Sequence, residues 1–324
     1  MLAVVAPGQG AQTPGFLAPW LELPAAAAAL EQAQTVSGLD LIRLGTEGSA
    51  DEIRDTAVAQ PLLVAAALAS AAALGLPAAA SGSGALPDII LAGHSIGELP
   101  AAVLAGALSP DAAMLLARER GAAMAAACAA ADTGMTAVLG GDPTEVDDAL
   151  AAAGLVAANR NGAGQVVAAG PRDGLDRLAE NPPAKARLRP LAVAGAFHTG
   201  AMRPAQVALA GIAAEVVFAD PSAPLLSNAD GAVVTDGEDL RRRLVTQVAA
   251  PVLWDACMAR MAELGVTSML ELAPGGTLTG LAKRALRGVA TVALRTPDDL
   301  AAARELLTAS GASGAIGASR GTSR

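Results

Sequence analysis

Short, wholly apolar runs alternate along the chain with longer segments in which apolar residues recur at helical spacing. Residues 2–6 form one such run, which ends at a Pro-Gly pair, and residues 89–91 form another, which ends at a Gly-x-Ser-x-Gly pentapeptide. Wholly apolar runs are typical of strands that are buried on both faces of a parallel sheet. The alternation of strands and helices therefore predicts an α/β fold with a mostly parallel sheet.

The same pattern gives the approximate bounds of the other core elements. We predict further strands at residues 225–227, 268–272 and 291–293, and helices at 24–34, 50–55, 57–74, 99–108, 111–131, 202–215, 239–248, 252–264, 278–285 and 299–307. The helix at 57–74 has the length and the low polarity of a membrane span. Because it is rich in alanine and contains Ser70, we interpret it as a helix buried against the sheet and not in a membrane.

A change in the pattern of elements over residues 133–192, from long helices to short strands and helices, predicts a separate subdomain. Four short strand patterns, at 136–139, 156–159, 165–169 and 188–192, alternate with helical stretches at 144–152 and 174–180. We interpret this segment as a four-stranded sheet with two helices in the ferredoxin-like arrangement, inserted into a core made of residues 1–132 and 193–308. Gly and Ser at 81–84 predict a linker, and the Gly/Ala/Ser-rich residues 309–324 predict a disordered tail.

Composition narrows the range of partners. A net charge of −9 and only 2% aromatic residues argue against nucleic-acid binding, because phosphates need basic groups and bases need stacking surfaces. An acidic surface is also repelled by an anionic membrane. We expect no secretory signal peptide, because residues 1–6 lack a basic region. The two cysteines, Cys128 and Cys257, favour packing roles in a reducing, cytoplasmic compartment.

The Gly-x-Ser-x-Gly pentapeptide, residues 93–97, has the sequence of a nucleophile elbow. In that arrangement a strand turns sharply into a helix, and the serine at the tip, here Ser95, exposes its hydroxyl. The backbone N–H of the next residue, Ile96, then points to the position of a developing oxyanion. The pentapeptide by itself is also compatible with a tight strand-to-helix turn that carries no chemistry.

Polar residues at other strand ends are candidates for the same site. Gln9 follows the first strand between two glycines, at the sheet edge where α/β proteins bind ligands, although an ordinary turn gives the same pattern. A serine nucleophile needs a base. Of the two histidines, His94 lies within the elbow and should point away from the serine, which leaves His198. No acidic residue is clearly placed to orient His198, so we expect neutral acceptors there. Metal binding is unsupported, because the histidines are far apart and no acidic cluster joins them.

Two further patterns carry polar groups whose roles the residues alone leave open. Arg118 and Arg120 lie on the predicted helix at 111–131, where successive side chains turn by about 100°. One of them therefore faces solvent and the other is free for a function. Asn159 and Asn161 lie on a predicted turn of the insertion, where the commonest role of asparagine is to stabilise the turn.

The chain contains six motifs in order: Pro7-Gly8-Gln9-Gly10, Gly93-His94-Ser95-Ile96-Gly97-Glu98, Arg118-x-Arg120-Gly121-x-x-Met124, Asn159-x-Asn161-Gly162-x-x-Gln165, Gly195-Ala196-Phe197-His198 and Gln247-Val248-x-x-Pro251-Val252-x-Trp254. Together they resemble the motif set of malonyl-CoA:acyl-carrier-protein transacylases, and the likeness extends from residue 2 to about residue 307. This resemblance implies an α/β-hydrolase-like core with an inserted ferredoxin-like subdomain.

The resemblance also implies the roles of the catalytic residues. Ser95 matches the residue that is acylated, and His198 matches its base. The backbone N–H groups of Gln9 and Ile96 match the family's oxyanion hole. Gln247 matches the position whose backbone carbonyl accepts a hydrogen bond from the imidazole, which would account for the absent carboxylate.

Four residues match the family's substrate-binding positions. Arg120 matches the residue that binds the free carboxylate of the malonyl group, and a guanidinium fork suits a carboxylate. Asn161, and with it Asn159, matches the insertion face of the substrate cleft. Phe197 resembles the malonyl-selective version of its motif, in which the ring leaves little room for an α-methyl branch.

The resemblance implies a ping-pong transfer of malonyl from malonyl-CoA through Ser95 to the phosphopantetheine thiol of an acyl carrier protein. We expect a monomer that needs no cofactor and binds no metal, nucleic acid or membrane. Two alternatives are a thioesterase or esterase of the same fold, with water as acceptor, and a degenerate carrier-binding module. Fatty-acid and polyketide synthesis both remain open, as do two basic patches for carrier docking: Lys185, Arg187 and Arg189, or Lys283, Arg284 and Arg287.

Overall fold

The computed structural model describes residues 1–76 and 89–311 of the chain. The predicted linker at 81–84 lies outside these ranges, as do residues 312–324 of the predicted tail.

The described residues form eleven strands, twelve α-helices and several short 3₁₀ helices. The strands are β1 (Leu2–Ala6), β2 (Ile89–Gly93), β3 (Thr133–Gly140), β4 (Val156–Gly162), β5 (Gln165–Pro171), β6 (Ala186–Pro190), β7 (Leu225–Leu226), β8 (Val233–Val234), β9 (Val252–Leu253), β10 (Ser268–Glu271) and β11 (Ala290–Ala293). The α-helices are α1 (Pro24–Ser37), α2 (Leu41–Glu47), α3 (Thr56–Leu74), α4 (Glu98–Leu104), α5 (Pro110–Ala129), α6 (Pro143–Ala152), α7 (Arg172–Glu180), α8 (Arg203–Ala213), α9 (Gly237–Gln247), α10 (Trp254–Glu263), α11 (Thr277–Ala285) and α12 (Leu300–Ala309). The 3₁₀ helices are Ala18–Glu22, Glu52–Arg54, Ser95–Gly97, Gly200–Met202 and Pro297–Asp299.

A six-stranded sheet with the order β11-β10-β1-β2-β7-β8 forms the larger core. β1 pairs in parallel with β10 and β2, so that Val4 is in register with Leu270 on one side and with Leu91 on the other. Within the described residues, β7 and β8 form the one antiparallel pair of this sheet. The predicted α/β class with a mostly parallel sheet is confirmed. β1 and β2 also end side by side, which brings the loops that follow them together.

Apolar helices cover both faces of this sheet. Leu2, Val4 and Ala6 of β1 belong to one buried cluster with α1, α3 and α5, whereas Ala3 and Val5 belong to another with α10 and α11. Successive side chains of a strand point to opposite faces, so a wholly apolar strand needs an apolar layer on each side. The core is therefore a layer of sheet between two layers of helices.

The apolar helix α3 lies inside the larger of these two clusters. It begins after Asp55, whose side chain accepts from the backbone N–H of Ala57, and it ends at Gly75 in the left-handed conformation. By length and composition α3 is able to cross a membrane, but 72% of its apolar window is buried inside the protein. A core helix shows the same composition, so α3 fits the predicted role of a helix buried against the sheet.

The insertion forms a second sheet, with the order β6-β3-β5-β4-β9. Its first four strands are antiparallel neighbours and, with α6 and α7, follow the ferredoxin-like sequence of elements. The sheet has five strands and not the predicted four, because β9 pairs in parallel with β4. The helix predicted from residue 252 accordingly begins only at Trp254. Two residues are too few to show a strand period, and their pairing depends on a distant partner.

Two short elements near the start of the chain also differ from the prediction. At the helix predicted for residues 50–55, the structure has only the 3₁₀ helix Glu52–Arg54, and the α-helix of this region, α2, comes earlier. α2 begins after Asp40, whose side chain accepts from the backbone N–H of Arg43. At seven residues α2 is too short for a helical period to show, so this cap is its strongest signal.

Candidate active site

A sharp turn between β2 and α4 carries Ser95. The backbone passes through Ser95 at a φ of 54°, in the left-handed region that residues with side chains seldom adopt. A Cβ on Gly93 would lie 1.9 Å from the carbonyl oxygen of Gly97, and a Cβ on Gly97 would lie 2.2 Å from the carbonyl oxygen of Ala6. The two glycines therefore permit the turn, which places the serine in the wall of a cleft.

The Ser95 hydroxyl forms a hydrogen-bonded pair with His198. Ser95 Oγ lies 2.8 Å from His198 Nε2, and His198 Nδ1 lies 2.8 Å from the backbone carbonyl oxygen of Gln247. A carbonyl only accepts, so Nδ1 carries the proton and Nε2 presents its lone pair to the hydroxyl. Burial and the charge of Arg120 lower the pKa of His198 to about 3, which keeps the imidazole neutral at physiological pH. No carboxylate of the described residues hydrogen-bonds to this imidazole.

Arg120 brings a buried positive charge to the serine. The residue is 4% exposed, and its Nη2 donates to Ser95 Oγ over 3.0 Å. Its other partners are the side-chain oxygens of Gln60, at 2.8 Å, and Gln247, at 3.0 Å, so every partner within the described residues is neutral. Burial lowers the pKa of Arg120 to about 10, which leaves it charged at neutral pH. Arg118, the other arginine of α5, is half-exposed in a surface ion pair.

Gln9 and Ile96 line the cleft beside Ser95. The side chain of Gln9 donates to Thr56 Oγ1 over 3.2 Å, which holds the loop after β1 against the start of α3. The backbone N–H of Gln9 has no acceptor among the described residues, so it is free to donate to a substrate. Ile96 directly follows Ser95, the position at which an elbow arrangement aims an N–H at the oxyanion. The oxyanion role of both N–H groups stays a prediction.

The cleft has a volume of about 440 Å³ and is lined by residues of both the main core and the insertion. Asn159 and Asn161 of β4 line it from the insertion, and Phe197 lines it beside His198. All three are buried. The structure therefore brings the four predicted substrate residues, these three and Arg120, around one cleft. Their contacts with a substrate stay a prediction.

His94 connects the elbow to the insertion. Its Nε2 lies 3.0 Å from Asn161 Oδ1, and its ring packs against Trp254 with 5.9 Å between the ring centroids. Burial lowers the pKa of His94, so a neutral imidazole donates from Nε2 to the amide oxygen. Within the described residues His94 makes no hydrogen bond to the Ser95 hydroxyl, which is consistent with the expected packing role and leaves His198 as the candidate base.

Comparison with known proteins assigns the family. A family model described as acyl transferase domain matches residues 4–317. A malonyl CoA-acyl carrier protein transacylase of Mycobacterium tuberculosis is 52% identical over 300 residues, which cover 93% of this chain and 98% of the relative. The chain belongs to the malonyl-CoA:acyl-carrier-protein transacylase family. It is therefore an acyltransferase, as the six motifs imply.

Other members of the transacylase family agree in sequence and in structure. The malonyl CoA-acyl carrier protein transacylase of Escherichia coli is 35% identical over 94% of this chain and 99% of its own. The crystal structure of MCAT from Mycobacterium tuberculosis matches with a TM-score of 0.87 at 52% identity, over 93% of this chain and 98% of that chain. A structure described as a type II PKS acyl-carrier protein in complex with its malonyl-transacylase matches with a TM-score of 0.85 at 32% identity. The match covers 94% of this chain and 99% of that chain.

Two buried residues of this transacylase site have no role in the sequence prediction: Glu98, which ends one of the six motifs, and Asn228, which lies in none of them. Glu98 accepts from the backbone N–H of Asn228 over 2.7 Å and from Nε2 of Gln247. Asn228 lies between β7 and β8, accepts from the backbone N–H of Ser95 over 2.7 Å and donates to the carbonyl of Gly93 over 2.8 Å. Glu98 has a local signal, a carboxyl group at the start of an apolar helix. Asn228 has none, because these partners lie 130 or more residues away along the chain.

The other reactive groups of this transacylase do not compete with Ser95. Cys128 and Cys257 are both free and buried, and burial raises the pKa of the Cys128 thiol to about 11 and the pKa of the Cys257 thiol further. Both thiols are therefore protonated at neutral pH and are poor nucleophiles. Within the described residues no group of three or more His, Cys, Asp or Glu side chains is placed to hold a metal ion.

Proposed function

We propose that the protein transfers a malonyl group from malonyl-CoA to the phosphopantetheine thiol of an acyl carrier protein, through a malonyl ester on Ser95. One observation carries this proposal: Arg120 Nη2 lies 3.0 Å from Ser95 Oγ, and among the described residues the guanidinium donates only to neutral groups. A malonyl group is an acyl group with a second, charged carboxylate, so its recognition calls for a cation next to the nucleophile. The relatives named above are malonyl transacylases by name, which supports the same assignment.

In the first half-reaction, Ser95 Oγ attacks the thioester carbonyl while His198 Nε2 accepts the hydroxyl proton. The carbonyl oxygen becomes an oxyanion, to which the backbone N–H groups of Gln9 and Ile96 donate. The C–S bond then breaks, and the CoA sulfur leaves as a thiol with the proton from His198. The Gln247 carbonyl holds the Nδ1–H throughout and so fixes the tautomer of the base.

The second half-reaction repeats these steps with a different thiol. The phosphopantetheine thiol gives its proton to His198 and attacks the malonyl ester, and the Ser95 oxygen leaves with that proton. A thiol has a pKa of about 8.5 and loses its proton far more readily than water does. A weak neutral base therefore favours transfer over the hydrolysis that a thioesterase performs. Ser95, His198, the thioester and the thiol supply every reacting group, so the proposed reaction needs no resident cofactor.

Substrate choice is proposed to depend on Arg120 and Phe197, with Asn159 and Asn161 forming the wall on the insertion side. A guanidinium binds a carboxylate through two parallel hydrogen bonds, and a buried arginine that lacks its anion forgoes about 3–5 kcal/mol. Acetyl-CoA, which has no carboxylate, is therefore rejected strongly. The Phe197 ring limits the space for an α-methyl branch, where one methylene is worth about 1–3 kcal/mol, so methylmalonyl-CoA is excluded less strictly.

The carrier protein is proposed to dock where α11 borders the cleft. Arg284 lines the cleft and donates to Gln165 of the insertion over 3.4 Å, whereas Lys185, Arg187 and Arg189 do not line it. A basic group at the rim attracts an acidic carrier even though the chain has a net charge of −9. We assign the reaction to the cytoplasm, because the two buried thiols are free, and we propose that a single copy of the chain carries it out.

Mass spectrometry after mixing the protein with malonyl-CoA tests the covalent step. We expect one malonyl group on the peptide that contains Ser95, and we expect it to disappear when a carrier protein with its phosphopantetheine arm is added. Malonyl carrier should form much faster than free malonate. A label on Cys128 or Cys257, or no label, would contradict the mechanism. Malonate in place of malonyl carrier would identify a thioesterase.

A further inference from the structure

Glu98 is a buried carboxyl group that the proposed reaction does not use. It is the first residue of α4, directly after the elbow, and it is 4% exposed. Its Oε1 accepts from the backbone N–H of Asn228 over 2.7 Å, and its Oε2 accepts from Nε2 of Gln247. Burial raises the pKa of Glu98 to about 8, whereas its N–H donors and the charge of Arg120 lower it. Both oxygens receive N–H donors, which is the pattern of a carboxylate.

Asn228 connects Glu98 to the backbone of the nucleophile. Its side-chain oxygen accepts from the N–H of Ser95 over 2.7 Å, and its side-chain nitrogen donates to the carbonyl of Gly93 over 2.8 Å. Asn228 is fully buried, and its backbone N–H donates to the Glu98 carboxylate. The Glu98 carboxylate therefore holds Asn228, and Asn228 holds the strained turn at the Gly93 carbonyl and at the Ser95 N–H.

Gln247 connects Glu98 to Arg120. Its amide nitrogen faces the carboxylate, so its amide oxygen faces the guanidinium and accepts from Nη2 over 3.0 Å. An amide has one donor end and one acceptor end, and a carboxylate only accepts. The same nitrogen also donates to Asn228 Oδ1 over 3.2 Å, so Glu98 and the Asn228 side chain together determine which end of the amide faces Arg120. If the amide turned over, its NH₂ group would meet the guanidinium donors and the hydrogen bond would be lost.

The same arrangement leaves Arg120 available for a substrate. Glu98 is the acidic group whose charge acts on Arg120 inside the protein, and the Gln247 amide lies between the two. No carboxylate of the described residues hydrogen-bonds to the guanidinium itself. A direct ion pair would occupy the fork that a malonyl carboxylate needs. Because the Gln247 amide separates the two groups, Glu98 compensates the charge of Arg120 without competing with a malonyl carboxylate for the guanidinium.

We propose that Glu98 is a positioning residue of the transfer reaction. Through the side chains of Gln247 and Asn228 it holds the Arg120 guanidinium and the Ser95 backbone in the geometry that malonyl transfer requires. The inference rests on the function proposed above. It predicts that loss of the carboxylate weakens recognition of the malonyl carboxylate more than it weakens the reaction with an acyl group that has none.

Glu98→Gln tests this with the least change in size. The new amide keeps one acceptor for the Asn228 N–H but presents an NH₂ group to Gln247, whose own amide then turns its NH₂ group toward Arg120. A hydrogen bond to a charged group is lost, so kcat/KM for malonyl-CoA should fall about 10- to 100-fold. The constant for acetyl-CoA should fall far less. The ratio of the two constants is a readout that a general loss of stability does not move.

Gln247→Met interrupts the connection without altering Glu98, so it should lower the malonyl-to-acetyl ratio as well. The double variant should resemble either single variant, because substitutions within one hydrogen-bond network are not additive. Glu271→Gln is the matched control. Glu271 is a fully buried carboxylate too, but it accepts from backbone N–H groups at the start of α11. It should lower the melting temperature and keep the wild-type ratio.

A wild-type malonyl-to-acetyl ratio in folded Glu98→Gln protein would overturn the proposal, as would additive effects in the double variant. If Glu98→Gln does not fold, the malonyl-to-acetyl ratio is measured in Gln247→Met instead. A wild-type ratio in that variant also overturns the proposal. Malonylation of Ser95 in the unmodified protein is measured in parallel. Its absence refutes the proposed function itself, whereas its presence together with wild-type ratios in the variants refutes only the role of Glu98.

Discussion

Replacing Arg120 by alanine removes the one cation within the described residues that hydrogen-bonds to the Ser95 hydroxyl. The buried guanidinium donates to three neutral oxygens at 2.8 to 3.0 Å, and a malonyl carboxylate would give it a charged acceptor. Removal of one partner from a buried charge pair costs about 3–5 kcal/mol. Because about 1.4 kcal/mol corresponds to a factor of ten, kcat/KM for malonyl-CoA should fall about a hundredfold to a few thousandfold.

Acetyl-CoA has no carboxylate for Arg120 to bind, so its kcat/KM should fall far less. The preference for malonyl-CoA over acetyl-CoA should therefore decrease by nearly the same factor as kcat/KM for malonyl-CoA. Both constants are measured as release of CoA thiol in the presence of excess carrier protein. Arg118→Ala is the matched control, because Arg118 lies two residues away on the same helix in a half-exposed surface ion pair, and it should change neither constant. A wild-type preference for malonyl in folded Arg120→Ala protein would refute the assignment of Arg120 to the carboxylate.

The nucleophile, its base and the rim of the cleft each give a further prediction. Ser95→Ala should lower transfer at least about 10³-fold and abolish the malonyl label without lowering the melting temperature, and transfer near the wild-type rate would refute the serine mechanism. The free energy of unfolding should decrease as the pH falls from 6.5 toward about 3, because the unfolded chain takes up a proton at His198 that the folded protein does not. Urea titrations of His198→Gln should therefore show a shallower pH slope, and an unchanged slope would contradict the burial argument. Arg284→Glu should raise KM for the carrier about tenfold without slowing malonylation, whereas Arg187→Glu, outside the cleft, should change neither, and an unchanged KM in Arg284→Glu would exclude the docking site.

The parallel core could be predicted because its signals are local. β1 and β2 are apolar runs that end at glycine or proline, and α3 and α5 are long helices that begin after the capping residues Asp55 and Ser109. β9 and α2 could not be predicted, because both are too short to show a period. β9 has two residues, which pair with β4 of the insertion, and α2 has seven. In such short elements, pairing and packing with distant segments outweigh local preference.

The candidate site divides in the same way. Ser95, His198 and Arg120 are marked by their sequence neighbours or by the need of a serine for a base, so the sequence indicates them. Glu98 and Asn228 are held together across 130 residues, and nothing in the sequence near either one points to the other. The motifs thus indicate the residues that the proposed reaction uses, and they include Glu98, but the contacts between Glu98 and Asn228 become visible only when the folded chain brings distant segments together.

The buried carboxylate beside this site does not orient the histidine. In a Ser-His-Asp triad the acid accepts from Nδ1 and stabilises the imidazolium. Here the backbone carbonyl of Gln247 takes that place, 2.8 Å from His198 Nδ1, and Glu98 is directed to the Gln247 side chain and to Asn228. A histidine without an adjacent anion is a weaker base, and in the second half-reaction this puts water at a greater disadvantage than a thiol with a pKa of about 8.5. In the proposed mechanism the negative charge therefore helps to hold Arg120, which selects the acyl group, and the weak base favours transfer of that group over its hydrolysis.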